Sequence, residues 1–135
     1  MRWAADTSIS IPALLADHEA HDLAEDVLSR CEVTIAHVAV ETYSVLTRLP
    51  PPHRVEPLDA ASIVGARLPG AWVTLDDGAC RSLPLGLAEA RVAGGATYDG
   101  LIALAAREHD LELVSRDQRA ARTYRALEVP FRLVG

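Results

Sequence analysis

Lysine is missing altogether: every one of the 13 basic residues in this 135-residue chain is arginine. A Walker A loop needs a lysine on the phosphates, and a Schiff-base or pyridoxal-phosphate site needs a reacting amine, so neither can be built here. A receiver-type phosphoacceptor domain, which sets a lysine beside its aspartates, is excluded on the same ground. Aromatic residues are scarce at 4%, so the core must be aliphatic, assembled from Ala, Leu and Val. The two cysteines, Cys31 and Cys80, stand far apart and outside any C-x-x-C or Cys/His spacing, which excludes a zinc site. Two lone thiols packed as small hydrophobes suit a reducing compartment. No apolar run approaches the roughly 20 residues needed to span a bilayer. Asp6 follows Met1-Arg2-Trp3-Ala4-Ala5 too soon for the apolar region of a signal peptide. The expectation is a soluble, cytoplasmic protein with no membrane partner. Positive charge is also short: 19 acidic residues give a formal charge of −6, which excludes a protein that holds nucleic acid by net charge alone.

What is present reads as one domain. Half the residues are hydrophobic and about a quarter are charged, as in a globular chain, with no repeat, linker or low-complexity stretch across residues 1–135. Strand and helix periods alternate. Trp3-Ala4-Ala5 is a short apolar strand followed by the capping types Asp6-Thr7-Ser8. Ala20, Leu23, Ala24, Val27 and Leu28 mark one face of an amphipathic helix. Val33-Thr34-Ile35-Ala36 is a β-branched strand. Residues 38–49 predict a helix largely apolar all round, hence deeply packed, ended by Pro50-Pro51-Pro52. A helix over 58–68 and a strand over 71–75 come next. Residues 76–92 predict a short turn and one longer helix, because Gly78, Pro84 and Gly86 interrupt them. Helices over 98–108 and 118–127 and strands over 111–114 and 131–134 complete the pattern. Such alternation implies an α/β fold, a doubly wound parallel sheet of four to five short strands with helices on both faces. Ligands in such sheets bind beyond the carboxyl ends of the strands, where strand order reverses.

Four carboxylates fall at strand ends or helix starts. Asp6 ends the first strand, Glu41 sits in the first turn after the second, Asp99 follows the Gly94-Gly95 break, and Asp117 opens the last helix. Each has a structural alternative. Asp6 suits a helix cap, Glu41 a helix-start acid, Asp99 a first-turn acid behind a Thr97 cap, and Asp117 a capping box in Ser115-Arg116-Asp117-Gln118. Taken together, the four would repel one another unless a cation compensated. All-oxygen ligation selects Mg²⁺ or Mn²⁺ over zinc.

Those residues carry a resemblance over the full length of the chain. Asp6-Thr7-Ser8 is similar to the opening motif of the PIN-domain ribonucleases, and Val38-Ala39-Val40-Glu41-Thr42-Tyr43 to their second acidic segment. Gly94-Gly95-Ala96-Thr97-Tyr98-Asp99-Gly100-Leu101-Ile102-Ala103 resembles the third. Ser115-Arg116-Asp117-Gln118-Arg119-Ala120 resembles the string common in VapC toxins of toxin–antitoxin pairs. The resemblance implies a PIN-like fold and a metal-dependent endoribonuclease. Asp6, Glu41, Asp99 and Asp117 would be both catalytic residues and ligands to one or two Mg²⁺ or Mn²⁺ ions. A metal-activated water would attack the scissile phosphate, with Ser8 and Ser115 orienting the carboxylates. It also implies a homodimer, an RNA substrate and a VapB-type antitoxin partner. The rival from another class is a catalytically silent PIN-like scaffold or binding module that keeps the acids without the activity. A dinucleotide-binding domain is excluded for want of G-x-G-x-x-G.

The remaining features are weaker. Arg116, Arg119, Arg122 and Arg125 recur every third residue, a spacing that drifts around a helix. Arg116 and Arg119 are therefore the candidates for RNA contact, and Arg122 and Arg125 read as a solvated face. His18 and His21 read as surface residues and His37 as a hydrogen-bonded structural histidine near Glu41. Asp76-Asp77-Gly78 reads as a turn, and Trp3, Trp72 and Phe131 as core or interface anchors.

Overall fold

The computed structural model describes all 135 residues. The elements follow in the order β1 (Arg2–Ala5), α1 (Thr7–Leu14), α2 (His21–Arg30), β2 (Val33–Ile35), α3 (Ala36–Thr47), α4 (Pro57–Arg67), β3 (Ala71–Val73), α5 (Asp77–Glu89), α6 (Ala96–Glu108), β4 (Leu111–Ser115), α7 (Gln118–Ala126) and β5 (Phe131–Leu133). Every ladder is parallel. β4 lies between β1 and β5, with Ala4 opposite Leu113 and Leu113 opposite Phe131, and β2 pairs with β3, Val33 opposite Ala71. β2 runs next to β1 without a ladder, so the strand order across the layer is β3-β2-β1-β4-β5. The predicted sheet is therefore present with five strands, but its hydrogen bonds fall into two groups.

Successive residues of a strand point to opposite faces, and the two cores follow that rule. Ala4 and Leu113 belong to one cluster with Ile102, Tyr124 and Leu127, on the side of α5, α6 and α7. Their neighbours Ala5 and Val114 belong to the other cluster with Ile9, Val27 and Leu46, on the side of α1 to α4. Continuous apolar strands covered on both faces are what a parallel sheet requires. The chain passes from β1 outward to β2 and β3, then crosses back to β4. The reversal of strand order therefore lies between β1 and β4, the strands that end at Asp6 and just before Asp117.

Several expectations are corrected. Residues 77–89 form one helix, not a turn and a helix. Pro84 gives no hydrogen bond to the Cys80 carbonyl, but both residues are exposed, so the freed group need not be buried unpaired. Ala79, Leu83, Leu87 and Ala90 still give α5 a helical stripe toward the core. Asp76 is its N-cap rather than part of a turn, accepting from the Ala79 N–H at 2.7 Å. α3 is not packed all round, because Val40 is 64% exposed and Tyr43 lies at the surface. Cys80 is exposed where Cys31 is buried. Trp72 is half-exposed at the β3 edge, lining a shallow apolar groove with Val40, Tyr43 and Val64. Gly100 has a packing role, since a Cβ there would collide with Leu87 across the α5–α6 contact. His18 and His21, read as surface residues, are both partly buried. His18 accepts from the Ala20 N–H before α2, and His21 lies between the Pro12 carbonyl and Glu25. No helix is long and apolar enough to cross a membrane.

Candidate active site

Asp6 is the buried root of the site, only 3% exposed. β1 ends at Ala5, and Asp6 caps α1 through Oδ1, which accepts from the Ser8 N–H at 3.0 Å and from the Ser8 hydroxyl. Its Oδ2 accepts from the Tyr124 hydroxyl at 2.7 Å. Burial pushes the Asp6 pKa up, and the hydroxyls of Ser115, Ser8 and Tyr124 with the Ser8 N–H pull it back toward the ionised form. Tyr124 is fully buried in the core. Burial, then the charge of Asp6, holds its phenol far above the ordinary range, so it stays protonated and remains a donor to Asp6. The helix-cap alternative for Asp6 is thus realised through Oδ1, while Oδ2 faces the Tyr124 hydroxyl.

The end of β4 is tied to the same root. The Ser8 and Ser115 hydroxyls lie 3.2 Å apart. Ser8 Oγ accepts from the Arg116 N–H at 2.7 Å, and Ser115 Oγ from the Asp117 N–H at 3.0 Å. Both serines therefore brace the turn that presents Asp117. Asp117 itself, not Ser115, is the N-cap of α7, its Oδ1 accepting from the Arg119 and Ala120 N–H groups at 2.8 and 3.3 Å. The Ser115–Gln118 capping box does not form, because α7 begins only at Gln118.

Glu41 and Asp99 come from helices. α3 starts at Ala36, so Glu41 sits in its second turn, not its first. There it accepts from the Thr7 hydroxyl at 3.3 Å, which ties it to the start of α1. The buried pair Ser10–Thr42, 2.7 Å apart, locks the same two helices together. Glu41 Oε2 also lies 3.4 Å from His37 Nε2. Asp99 is in the first turn of α6, whose N-cap is Gly95; Thr97 lies inside the helix and caps nothing. The Asp99 pKa is pushed up to about 6, by burial first and then by Asp117, Asp6 and Glu41, with Arg119 pulling the other way. Each of the other three acids thus acts on Asp99, and the four share one edge at the carboxyl ends of β1 and β4.

An all-carboxylate set with unbalanced mutual repulsion suits a hard divalent cation in its chemistry. Yet no three of these side chains close around a common point as they stand. Of the arginines, Arg119 is exposed and close enough to act on Asp99. Arg116 has its Nε buried without a hydrogen-bond partner, with the C-terminal Gly135 packed against its side chain. Arg122 is exposed, and Arg125 lies over the Phe131 ring at 5.4 Å.

A family model of the PIN domain matches residues 4–126 of this chain. The chain belongs to the PIN-domain family. A Mycobacterium tuberculosis protein named Ribonuclease VapC40 is 44% identical over 131 residues, covering 97% of this chain and 98% of that protein. Ribonuclease VapC27 of the same species is 43% identical over 127 residues, 93% of this chain and 92% of that one. Within the PIN-domain family the chain therefore stands with the VapC proteins. Solved structures share its fold. VapBC2 from Rickettsia felis, bound to a promoter DNA fragment, superposes with a TM-score of 0.66 at 14% identity over 100% of both chains. VapBC-5 from Mycobacterium tuberculosis gives 0.59 at 22% identity over 98% of each.

Sequence reasoning missed three contributors to this PIN-domain site. Tyr124 looks like any core aromatic, and only the packing of α7 against α6, β4 and β5 brings its hydroxyl to Asp6. Tyr98 and Arg48 line a groove beside Glu41 and Asp99. A signal for that groove did exist: His37, Glu41, Ser44 and Arg48 fall at i, i+4, i+7 and i+11, a polar stripe along a helix read as largely apolar all round.

Proposed function

We propose that this chain, as a single PIN-like domain over residues 1–135, is a Mg²⁺- or Mn²⁺-dependent endoribonuclease of the VapC type. The observation that carries the reading is the convergence of Asp6, Glu41, Asp99 and Asp117 on one edge, in a chain 44% identical to a protein named a ribonuclease. These four carboxylates would hold one or two ions. A divalent cation so bound supplies an activated water for attack on the phosphodiester and charge stabilisation for the leaving oxygen. The chain's own residues set the stage for that chemistry. Tyr124 and Ser8 orient Asp6, the α7 N–H groups orient Asp117, and Thr7 steadies Glu41. Arg119 offers a guanidinium for RNA phosphate beside the acids, with Arg116 on the same turn.

The same proposal makes the protein a cytoplasmic homodimer silenced by a VapB-type antitoxin. The solution mass and copurification with a protein encoded beside it test those two statements. Cleavage of total RNA with Mg²⁺ or Mn²⁺, with EDTA, and with the Asp99→Asn variant tests the activity. Cutting by wild type alone, and only with metal, supports the reading. Equal cutting under all conditions would overturn the metal centre, and a folded wild type that takes up no metal would favour the silent scaffold.

A further inference from the structure

An open groove of about 380 Å³ runs between α3 and the start of α6, lined by His37, Glu41, Ser44, Arg48, Tyr98 and Asp99. Two of the four proposed metal ligands therefore form one end of its wall. At that end the rings of His37 and Tyr98 lie parallel within 1°, centroids 5.7 Å apart. His37 braces Tyr98 from one side, yet Tyr98 remains 58% exposed. A residue serving only to pin α3 to α6 would be buried, and a leucine would serve as well. Further along the groove Arg48 makes no ion pair, and the Ser44 hydroxyl is free to donate. Eleven residues of helix place Arg48 roughly 16 Å from His37 along the axis, a few nucleotides of extended strand.

We propose that this groove carries single-stranded RNA flanking the cut, with one base stacked on Tyr98 and a backbone phosphate held by Arg48. The inference rests on the nuclease reading for its placement of the cut, but its central claim concerns binding. Unpaired RNA bases are recognised by stacking on aromatic faces, whereas duplex RNA hides them, so the substrate class is single-stranded. An acidic protein also needs such local contacts, because its net charge repels the strand. Tyr98 binds the substrate base directly in this scheme and His37 positions Tyr98, and the identity of the stacked base would contribute to the choice of cutting site.

The test is the affinity of the full-length protein for a fluorescein-labelled pool of mixed-sequence octaribonucleotides. Anisotropy reads the binding in millimolar Ca²⁺, with the probe confirmed intact on a gel. Tyr98→Leu is expected to weaken binding by about 5- to 100-fold, the worth of one base–aromatic stack, while Tyr98→Phe stays within about two-fold of wild type. Arg48→Ala is expected to weaken binding and lower its salt dependence by about one phosphate contact. In Mn²⁺, Tyr98→Leu should raise KM with kcat nearly unchanged. Unchanged affinity in Tyr98→Leu, or a loss of kcat and melting temperature instead of affinity, overturns the inference. Wild type that binds the pool with this mutational pattern but cuts no RNA overturns the nuclease reading and leaves the groove standing.

Discussion

The floor and the rim of the acidic site are built on opposite principles. The floor is Asp6 with Tyr124, Ser8 and Ser115, at the ends of two hydrogen-bonded parallel strands, and its polar atoms are paired inside the protein. The rim is Glu41 and Asp99, carried on α3 and α6, where the carboxylates meet a groove and repulsion is only partly offset by Arg119. A buried carboxylate survives because donors surround it. Burial raises the pKa of Asp6 and of Asp99 alike, but Asp6 has donors that oppose the rise, whereas Asp99 is pushed further by Asp117, Asp6 and Glu41. Removing charge should therefore harm the floor and relieve the rim, although both belong to one proposed metal centre.

The sharpest way to break that contrast is to neutralise one acid on each side. Asp6→Asn and Asp99→Asn should each lower metal-dependent RNA cleavage by more than the roughly 10- to 100-fold that outer hydrogen-bond partners carry. Their stabilities should part in sign. Asp6→Asn puts an amide NH₂ where the Ser8 N–H and neighbouring hydroxyls now donate to a carboxylate and should cost about 1–3 kcal/mol, while Asp99→Asn should be neutral or stabilising in urea unfolding with EDTA. Matching destabilisation by both would erase the distinction.

Next in size is Tyr124→Phe, which keeps the ring and deletes the donor to Asp6 Oδ2. Cleavage should fall about 10- to 100-fold and stability by roughly 1–3 kcal/mol, read by single-turnover rates and denaturant midpoints. A variant with wild-type rates would show that the floor needs no such donor. A smaller effect concerns pH. The Asp99 carboxyl moves from an ordinary 3.8 to about 6 on folding, so the folded state binds the proton more tightly. The resulting contribution is fully present below about pH 4 and is lost as pH rises through about 6. Metal-free wild type should thus lose stability across that window relative to Asp99→Asn, and parallel curves for the two would contradict the rim's strain. Smallest of all, Arg122→Ala on the exposed face of α7 should stay within about 0.5 kcal/mol and leave cleavage unchanged.

The positions of the four acids were legible because Asp6 and Asp117 stand at strand ends, Glu41 in the helix after β2 and Asp99 in the first turn of the helix that leads into β4, and parallel topology brings those places to one edge. The amphipathic stripe of α2 and the proline stop after α3 were equally plain. Other readings failed for local reasons. Pro84 and Gly86 read as breaks, but α5 lies on the surface, where the lost backbone bond need not leave a group buried unpaired. Residues 38–49 read as buried all round because apolar residues outnumber polar ones, which hid the polar stripe at His37, Glu41, Ser44 and Arg48. Ser115-x-x-Gln118 matched a capping box, but the parallel bond from Val134 N–H to Ser115 O keeps that residue in the strand ladder and leaves the cap to Asp117.

By itself, the sequence determined the alternation of strands and helices, the absence of every lysine-dependent chemistry and the spacing of four carboxylates near strand ends and helix starts. Hydrophobic period and residue chemistry are local properties, readable within a few positions. Tertiary structure alone decided that the Tyr124 hydroxyl meets Asp6 across 118 positions of chain, that Thr7 steadies Glu41, and that Tyr98 stands open over a groove with Arg48. Those pairings depend on how α3, α6 and α7 pack against the strands, and packing is fixed by the shape of the whole core rather than by any segment of it.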